Sequence, residues 1–357
     1  MTRLADSRYD VIVVGGGAMG SAAAWQLARR GRSILLLERF AAGHAYGASH
    51  GGVRIFRYGY ADPTYVRMVQ QALPMWRELE ADVGETLLEI TGALDHGPQT
   101  DIEELAAAYR ACGVLHERLT PEAATERWPG LRFDTAVLAQ PDAGRTRADA
   151  TVAALHRAAV AHGAEIRCGT PVIAIEPDAG GVAVRTDDKE FCAPVCVVAV
   201  GAWAQRLLGP LGIPLPPLKI TEEPVTHFTP LQEQPGGNPW PSFMHRGRTI
   251  WYGLESPGDG LKLGEHHTGR ICDPEPDRRS FAVDPAVRTR IRRYAATWLP
   301  GVLAEPISET TCLYTTTPTE DFVVDRFGPI VVAAGFSGHG FKFTPLIGER
   351  LAELALR

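Results

Sequence analysis

With 357 residues the chain is longer than one core usually serves, and its 45% hydrophobic content is enough to fill two domains. A net charge of −6 gives solubility without a basic face, which argues against nucleic acid or an anionic membrane as a partner. The polar opening MTRLADSR leaves no room for a charged and then apolar leader. The six cysteines form neither a C-x-x-C pair nor a zinc spacing, so a reduced cytoplasm and no bound metal are expected.

The first predicted element is a buried strand over Tyr9 to Val14 (YDVIVV), which runs into GGGAMG. Gly15, Gly17 and Gly20 stand in the G-x-G-x-x-G spacing of a dinucleotide-binding turn. The first permits the turn, the second lets backbone amides approach a pyrophosphate, and the third lets the helix lie close to the sheet. A helix over Ser21 to Arg30, a break at Gly31 and a second strand over Ser33 to Leu37 follow. Glu38 then stands 23 residues after Gly15, where an acid binds ribose hydroxyls and repels a 2′-phosphate. FAD or NAD is favoured over NADP. Val11 to Ala28 is apolar enough to suggest a membrane span, but its glycines, Ser21 and Gln26 fit the turn and helix better.

Residues 44 to 60 form a glycine-rich loop carrying His44, His50, Arg54 and Arg57, suited to wrapping a cofactor. An amphipathic helix is predicted over Tyr65 to Asp82, with Val69, Leu73, Trp76 and Leu79 on one face. From Glu85 to Asp142 the pattern changes to short strands and a helix over Asp101 to Cys112, read as the start of a second domain. Thr146 to His162 is an alanine-rich helix. Strands near 171–176, 182–186 and 196–200 return the chain to the first domain, with Cys192 and Cys196 read as buried strand thiols. Five prolines between Pro210 and Pro224 mark a crossover, and residues 221–308 read as an antiparallel sheet. Ile330 to Ala334 is a strand, GFSGHGFKF a second glycine-rich turn with Gly338 and Gly340, and Thr344 to Leu354 a helix with Pro345 near its start. The second turn lacks the fingerprint order, so one dinucleotide is expected, and FAD reacting directly with substrate is the simpler reading.

The expected fold is α/β. A Rossmann-like FAD-binding domain takes residues 1–84, 143–220 and 309–357, and a mixed-sheet substrate domain takes 85–142 and 221–308.

The segments SHGGVRIFR, GLKLGEH, TTCLYTTTPTEDFVVD and AAGFSGHGFKF, together with the N-terminal fingerprint, resemble the monomeric sarcosine oxidase and N-methyltryptophan oxidase family of flavoprotein amine oxidases. The likeness spans almost the whole chain. It implies FAD attached covalently through Cys312, and Lys262 beside the flavin as the group that activates oxygen. Arg54 would lie against the flavin, with His50 in the same loop. Arg57 and Lys342 would hold the substrate carboxylate, and Tyr252 and His266 would line the substrate cavity. The implied activity is oxidation of an N-methyl or other secondary amino acid, with O2 reduced to hydrogen peroxide by a monomer. Cyclic or bulky secondary amines such as proline, pipecolate or glycated amino acids are the nearest alternative substrates, and an FAD-linked dehydrogenase serving a partner is a different class. Ser49, Gly52 and Val53 depart from the family's SHHGDTR segment, and Glu265 follows the oxygen lysine where an aromatic or basic residue is usual. Glu265 is expected to add negative charge near the cavity or to face water. The chain ends at Arg357, shortly after its last predicted helix, where members of that family commonly continue.

Overall fold

The computed structural model describes residues 9–178, 180–231 and 239–357. The polar residues 1–8, on which the expectation of no leader rests, lie outside the described residues.

The mixed α/β architecture is built on a six-stranded sheet in the order 323–327, 330–334, 195–198, 11–14, 34–37 and 165–167. Its last five strands are parallel, and Val323–Phe327 pairs antiparallel at one edge. Alternation along each strand divides the side chains between two cores. Val11, Val13, Ile34 and Leu36 face a helical layer that includes Ala18–Ala28, whereas Ile12, Val14, Leu35 and Leu37 face Ile175, Val182, Val184 and Phe191. Both faces of the parallel sheet are covered, which is why its strands read as unbroken apolar runs.

Those last residues belong to a separate three-stranded antiparallel sheet of Val172–Asp178, Gly181–Thr186 and Glu190–Ala193. Only Val195–Val198 of this region enters the parallel sheet. The expectation for Cys192 is corrected here: it lies on the exposed face of Glu190–Ala193, while Cys196 is buried.

The helix predicted from Tyr65 begins at Pro63, capped by Asp62 accepting from the Thr64 amide at 2.7 Å, and ends at Val83 before Gly84 in the left-handed region. The loop of residues 44–60 contains a strand, Val53–Phe56, paired with Gly144–Arg147. The crossover closes earlier than its prolines suggest, because Pro224 lies inside the strand Lys219–Pro230. It sits between Glu222, paired with Arg270, and Val225, paired with Gly264, where the ladder on that side is interrupted and no amide is required.

The second large sheet has nine strands, all antiparallel except Ala93–His96 beside Ser242–His245. Residues 221–308 are not sheet alone: Pro285–Trp298 is a helix burying Ile291, Tyr294 and Ala295. Val302–Thr316 pairs along nearly all of Lys219–Pro230 and carries Cys312 in its buried C-terminal half.

Ala18–Ala28 packs tightly on Thr344–Leu356, where a Cβ at Gly348 would lie 2.6 Å from the Ala22 backbone carbon. Gly348→Ala should therefore lower stability by about 1–3 kcal/mol through overpacking. Gly247, which lies outside the left-handed region and where an added Cβ would meet only the Thr249 carbonyl at 3.9 Å, is the control, and its alanine variant should be neutral or slightly stabilising. Thermal unfolding of both variants tests this, and equal melting shifts would contradict it.

Candidate active site

A cavity of about 920 Å³ runs from the N-terminal glycine turn to the inner faces of both sheets, at the upper end of the range for cofactor sites. At one end Gly15 has φ +102°, and a Cβ there would lie 2.5 Å from the Ala199 carbonyl. A Cβ at Gly20 would lie 1.9 Å from the Gly15 oxygen. The turn therefore closes only with glycine, and Gly17 starts the helix without a side-chain cap of its own. Glu38 ends the neighbouring strand and accepts from the Gly16 amide at 2.7 Å and the Phe40 amide at 2.8 Å. Burial alone would raise its pKa, but His44 and those two amides outweigh burial and lower it. Glu38 thus braces the glycine turn from inside the cavity.

At the opposite end of this face, four sequence-predicted residues meet. Arg54 donates to the carbonyls of Val53, Ala48 and His50 at 2.9, 3.0 and 2.6 Å, and its Nη2 lies 3.6 Å from the Cys312 sulfur. Lys262, only 7% exposed, donates to the Val53 carbonyl at 3.1 Å. Burial opposes ionisation of the Cys312 thiol, but His50, Arg54 and Lys262 together bring it down to about 6. His50 acts here as a nearby ring rather than a well-aligned partner, since its Nε2 makes no hydrogen bond among the described residues. Burial and then Arg54 press the Lys262 ammonium down to about 7.

The second cation pair converges on Tyr60. Arg57 Cζ and Lys342 Nζ lie 5.5 and 5.3 Å from the centre of that ring. Lys342 donates to the Tyr60 hydroxyl at 2.9 Å and the His339 carbonyl at 2.6 Å, which leaves one of its three protons without a partner among the described residues. Having accepted from Lys342, the Tyr60 hydroxyl donates to His339 Nδ1 at 3.0 Å, and His339 Nε2–H meets the Glu320 carbonyl at 3.1 Å. Burial and Lys342 hold His339 neutral, at about 3. Arg57 donates to the Gly59 carbonyl and stands 3.7 Å from Asp95, which is fully buried.

Tyr252 and His266 line the same end. His266 Nδ1 is 3.2 Å from the Tyr314 hydroxyl, and burial with the surrounding His267, Arg57, His339 and Lys342 keeps the ring neutral. Gly338, at φ +76°, packs on the Tyr314 ring and Gly340 on Phe336, where a Cβ added to Gly340 would lie 2.7 Å from the Phe336 side chain. The second glycine turn is thus shaped by aromatic rings.

Glu265 does not face the cavity or water. It is 1% exposed and held by Arg290 at 2.9 and 2.7 Å and by the Thr268 hydroxyl at 2.9 Å. Its charge is neutralised behind the strand that carries Lys262.

Several lining groups lie outside the sequence expectations. Tyr314 follows Cys312 by two residues and so shares its face of the strand, an alternation that could have pointed to it. Glu275 accepts from Arg39 at 3.0 and 2.7 Å, from Arg206 at 2.6 Å and from Trp203 at 3.0 Å, beside Glu38. Residues 39, 203 and 275 share no local pattern.

These residues fit an FAD. The glycine turn gives phosphates close backbone approach, Glu38 stands at the adjoining strand end, and buried cations with a lowered thiol line the far end. The family model for FAD dependent oxidoreductases matches residues 10–354. Monomeric sarcosine oxidase of Bacillus sp. (strain NS-129) is 34% identical over 98% of this chain and 93% of its own length. N-methyl-L-tryptophan oxidase of Yersinia pestis (strain Pestoides F) is 31% identical over 97% and 95%. Among solved structures, NikD, an amino acid oxidase of nikkomycin biosynthesis, superposes with a TM-score of 0.87 at 29% identity, covering 99% of this chain and 95% of NikD. Gly15, Gly17 and Gly20, Glu38, and the cluster around Cys312 thus lie within a match that runs nearly end to end, and the chain belongs to the FAD-dependent oxidoreductase family.

Proposed function

We propose that this protein oxidises N-methyl or other secondary amino acids, releases an imine that hydrolyses in water, and passes the electrons to oxygen as hydrogen peroxide. The observation that carries the reading is the convergence of Arg57 and Lys342 on one Tyr60 ring, in the cavity that also holds Arg54, Lys262 and Cys312. The relatives named for sarcosine and N-methyl-L-tryptophan support it. Segments 1–84, 143–220 and 309–357 then hold the cofactor, and 85–142 and 221–308 form the substrate wall, with the 308/309 boundary falling inside the strand Val302–Thr316.

When bound, the flavin supplies a two-electron acceptor for the C–H bond beside the amine nitrogen and returns those electrons to oxygen. Gly15, Gly17, Gly20, Glu38, Gly338 and Gly340 would hold it, and Cys312 would offer a thiolate for covalent attachment. Arg57 and the free proton of Lys342 bind the substrate carboxylate, which favours the charged lysine that burial otherwise disfavours. The same cations lower the amine's pKa and keep its lone pair free, so no separate base is required. Tyr252, Tyr314 and neutral His266 close the wall around the amine. Lys262 and Arg54 set positive charge where oxygen takes on electrons.

The test is the flavin absorbance of anaerobic protein as sarcosine, N-methyltryptophan, proline and pipecolate are added in turn. A secondary amino acid should bleach it, and air should restore it. Arg57→Ala should raise the concentration needed by roughly tenfold to a hundredfold, matching about 1.5–3 kcal/mol for charged hydrogen bonds. No bleaching by any of these substrates would sink the reading, and bleaching that air does not reverse would turn it toward a dehydrogenase.

Lys262→Met should leave substrate reduction intact and slow reoxidation on the order of 100-fold. Because the Lys262 pKa is lowered, its charge is present below about pH 7 and lost above it. Wild-type reoxidation should therefore fall as pH rises past that point, while the Met variant stays flat. Equal slowing of both half-reactions in stopped flow would remove the role.

In protein prepared without flavin, Cys312 alkylation by a neutral reagent should reach half its maximum near pH 6, and Arg54→Met should move that midpoint toward 9. An unmoved midpoint would separate Arg54 from the thiol.

A further inference from the structure

His96 ends the strand Ala93–His96, and His245 ends the adjacent parallel strand Ser242–His245, with the two residues in direct register. Their imidazoles face each other at 4.1 Å between centroids and 24° between planes. A turn joins them from a third segment: the Gly97 amide donates to the Thr135 hydroxyl at 2.9 Å, and Phe133 meets His96 edge-on at 5.1 Å. That turn carries Asp134. One ring nitrogen of each histidine and one carboxylate oxygen of Asp134 lie within 4.8 Å of one another. None of the three lines the flavin cavity.

We propose that His96, Asp134 and His245 form a binding site for a divalent cation of the zinc class, separate from the flavin site. Two imidazoles and a carboxylate, with a position left for water, form a set that suits zinc. Independent of the clustering, His96 is 2% exposed and its Nδ1 has no hydrogen-bond partner among the described residues. An imidazole buried in this way costs free energy that a ligand bound by the ring would offset.

The surroundings favour neutral, oriented rings. Burial depresses the basicity of both histidines, and metal ligation requires the neutral form. The Tyr294 hydroxyl lies 3.1 Å from His245 Nδ1 and fixes that ring, leaving Nε2 to a ligand, while Trp298 packs against it at 4.5 Å. Zinc–nitrogen bonds of about 2.0–2.1 Å require ligand atoms roughly 3.3 Å apart, so binding draws the three groups inward. Asp134, on an exposed turn, has the freedom to close.

A cation here would clamp three segments distant in sequence. It would also stiffen the wall behind the cavity, because Asp95 precedes His96, Arg246 follows His245, and these two are ion-paired at 3.1 Å. The widely separated positions 96, 134 and 245 carry no spacing signal in the sequence, which is why none of them reads as a ligand there.

The experiment is calorimetric titration of chelator-treated, flavin-loaded protein with zinc chloride, alongside thermal unfolding with and without the ion. One equivalent should bind and raise the unfolding temperature. His245→Asn and His96→Asn should each abolish both effects, and Tyr294→Phe should keep the stoichiometry but weaken affinity on the order of tenfold. Should His96→Asn fail to fold, His245→Asn and Asp134→Asn carry the test, since those side chains are half-buried and exposed. The proposal is overturned if the parent protein takes up no equivalent of zinc, or if the variants keep it, which would assign the ion to other ligands such as the exposed Cys192.

Discussion

Burying cations around one cavity is the constraint on which the rest of the architecture depends. Lys262 and Lys342 are 7% and 5% exposed, and each is solvated by backbone carbonyls or a hydroxyl rather than by a carboxylate in contact. Carbonyl dipoles stabilise an ammonium less than a full counter-charge does, so both lysines are depressed in basicity and receptive to negative charge. The fold maintains this by supplying the carbonyls from segments fixed elsewhere. Val53 belongs to a paired strand, and the His339 carbonyl sits in a turn locked between Tyr314 and Phe336. The acids that line the cavity, Glu38, Asp149, Asp187 and Glu275, are not in hydrogen-bonding or ion-pair contact with either lysine among the described residues.

The same logic explains the low thiol. Cys312 is buried enough that its thiolate should be disfavoured, yet Arg54, fixed by three carbonyls, cannot withdraw from it. A guanidinium that has satisfied its donors on backbone keeps its charge beside the sulfur without forming a neutralising pair. The strand Val302–Thr316 delivers Cys312 and Tyr314 on one face, so the sulfur and the aromatic floor of the second glycine turn are positioned by a single register.

How much of this was legible in the sequence follows from how local each signal is. The strand, glycine turn, helix and acid of residues 9–38 are contiguous, and each residue type has a steric reason to be there, so that unit could be read directly. The helix Pro285–Trp298 could not, because VRTRIRR alternates with a period of two while only Ile291, Tyr294 and Ala295 are buried. Cys192 and Cys196, four residues apart, differ in exposure because Pro194 separates Ala193, in the three-stranded sheet, from Val195, in the parallel one. In the site, Arg54, Arg57, Lys262, Cys312 and Lys342 stand out in the sequence through the family resemblance alone. Their meeting in one cavity depends on pairings across more than two hundred residues, which no periodicity encodes. Glu265 shows the complementary failure: its neutraliser, Arg290, lies on the helix that the sequence concealed.

Asp95 shows how a buried carboxylate can stand near Arg57 without disabling it. Its oxygens are already engaged by Gln140 at 2.8 Å, Arg246 at 3.1 Å and, more weakly, Tyr109 at 3.5 Å. Arg57 remains at 3.7 Å, close enough to be oriented by the charge but without a direct hydrogen bond to it. Had Arg246 been absent, the shortest route to satisfying Asp95 would have been a two-bond fork from Arg57, and that guanidinium would have turned its donors away from the cavity. Arg246 also donates to the Gly59 carbonyl at 3.0 Å, the acceptor that anchors Arg57, so one side chain occupies the competing carboxylate and fixes the loop. The placement of the Arg57 guanidinium is thus shared with Arg246, which lies outside the cavity lining and directly follows the strand that ends at His245.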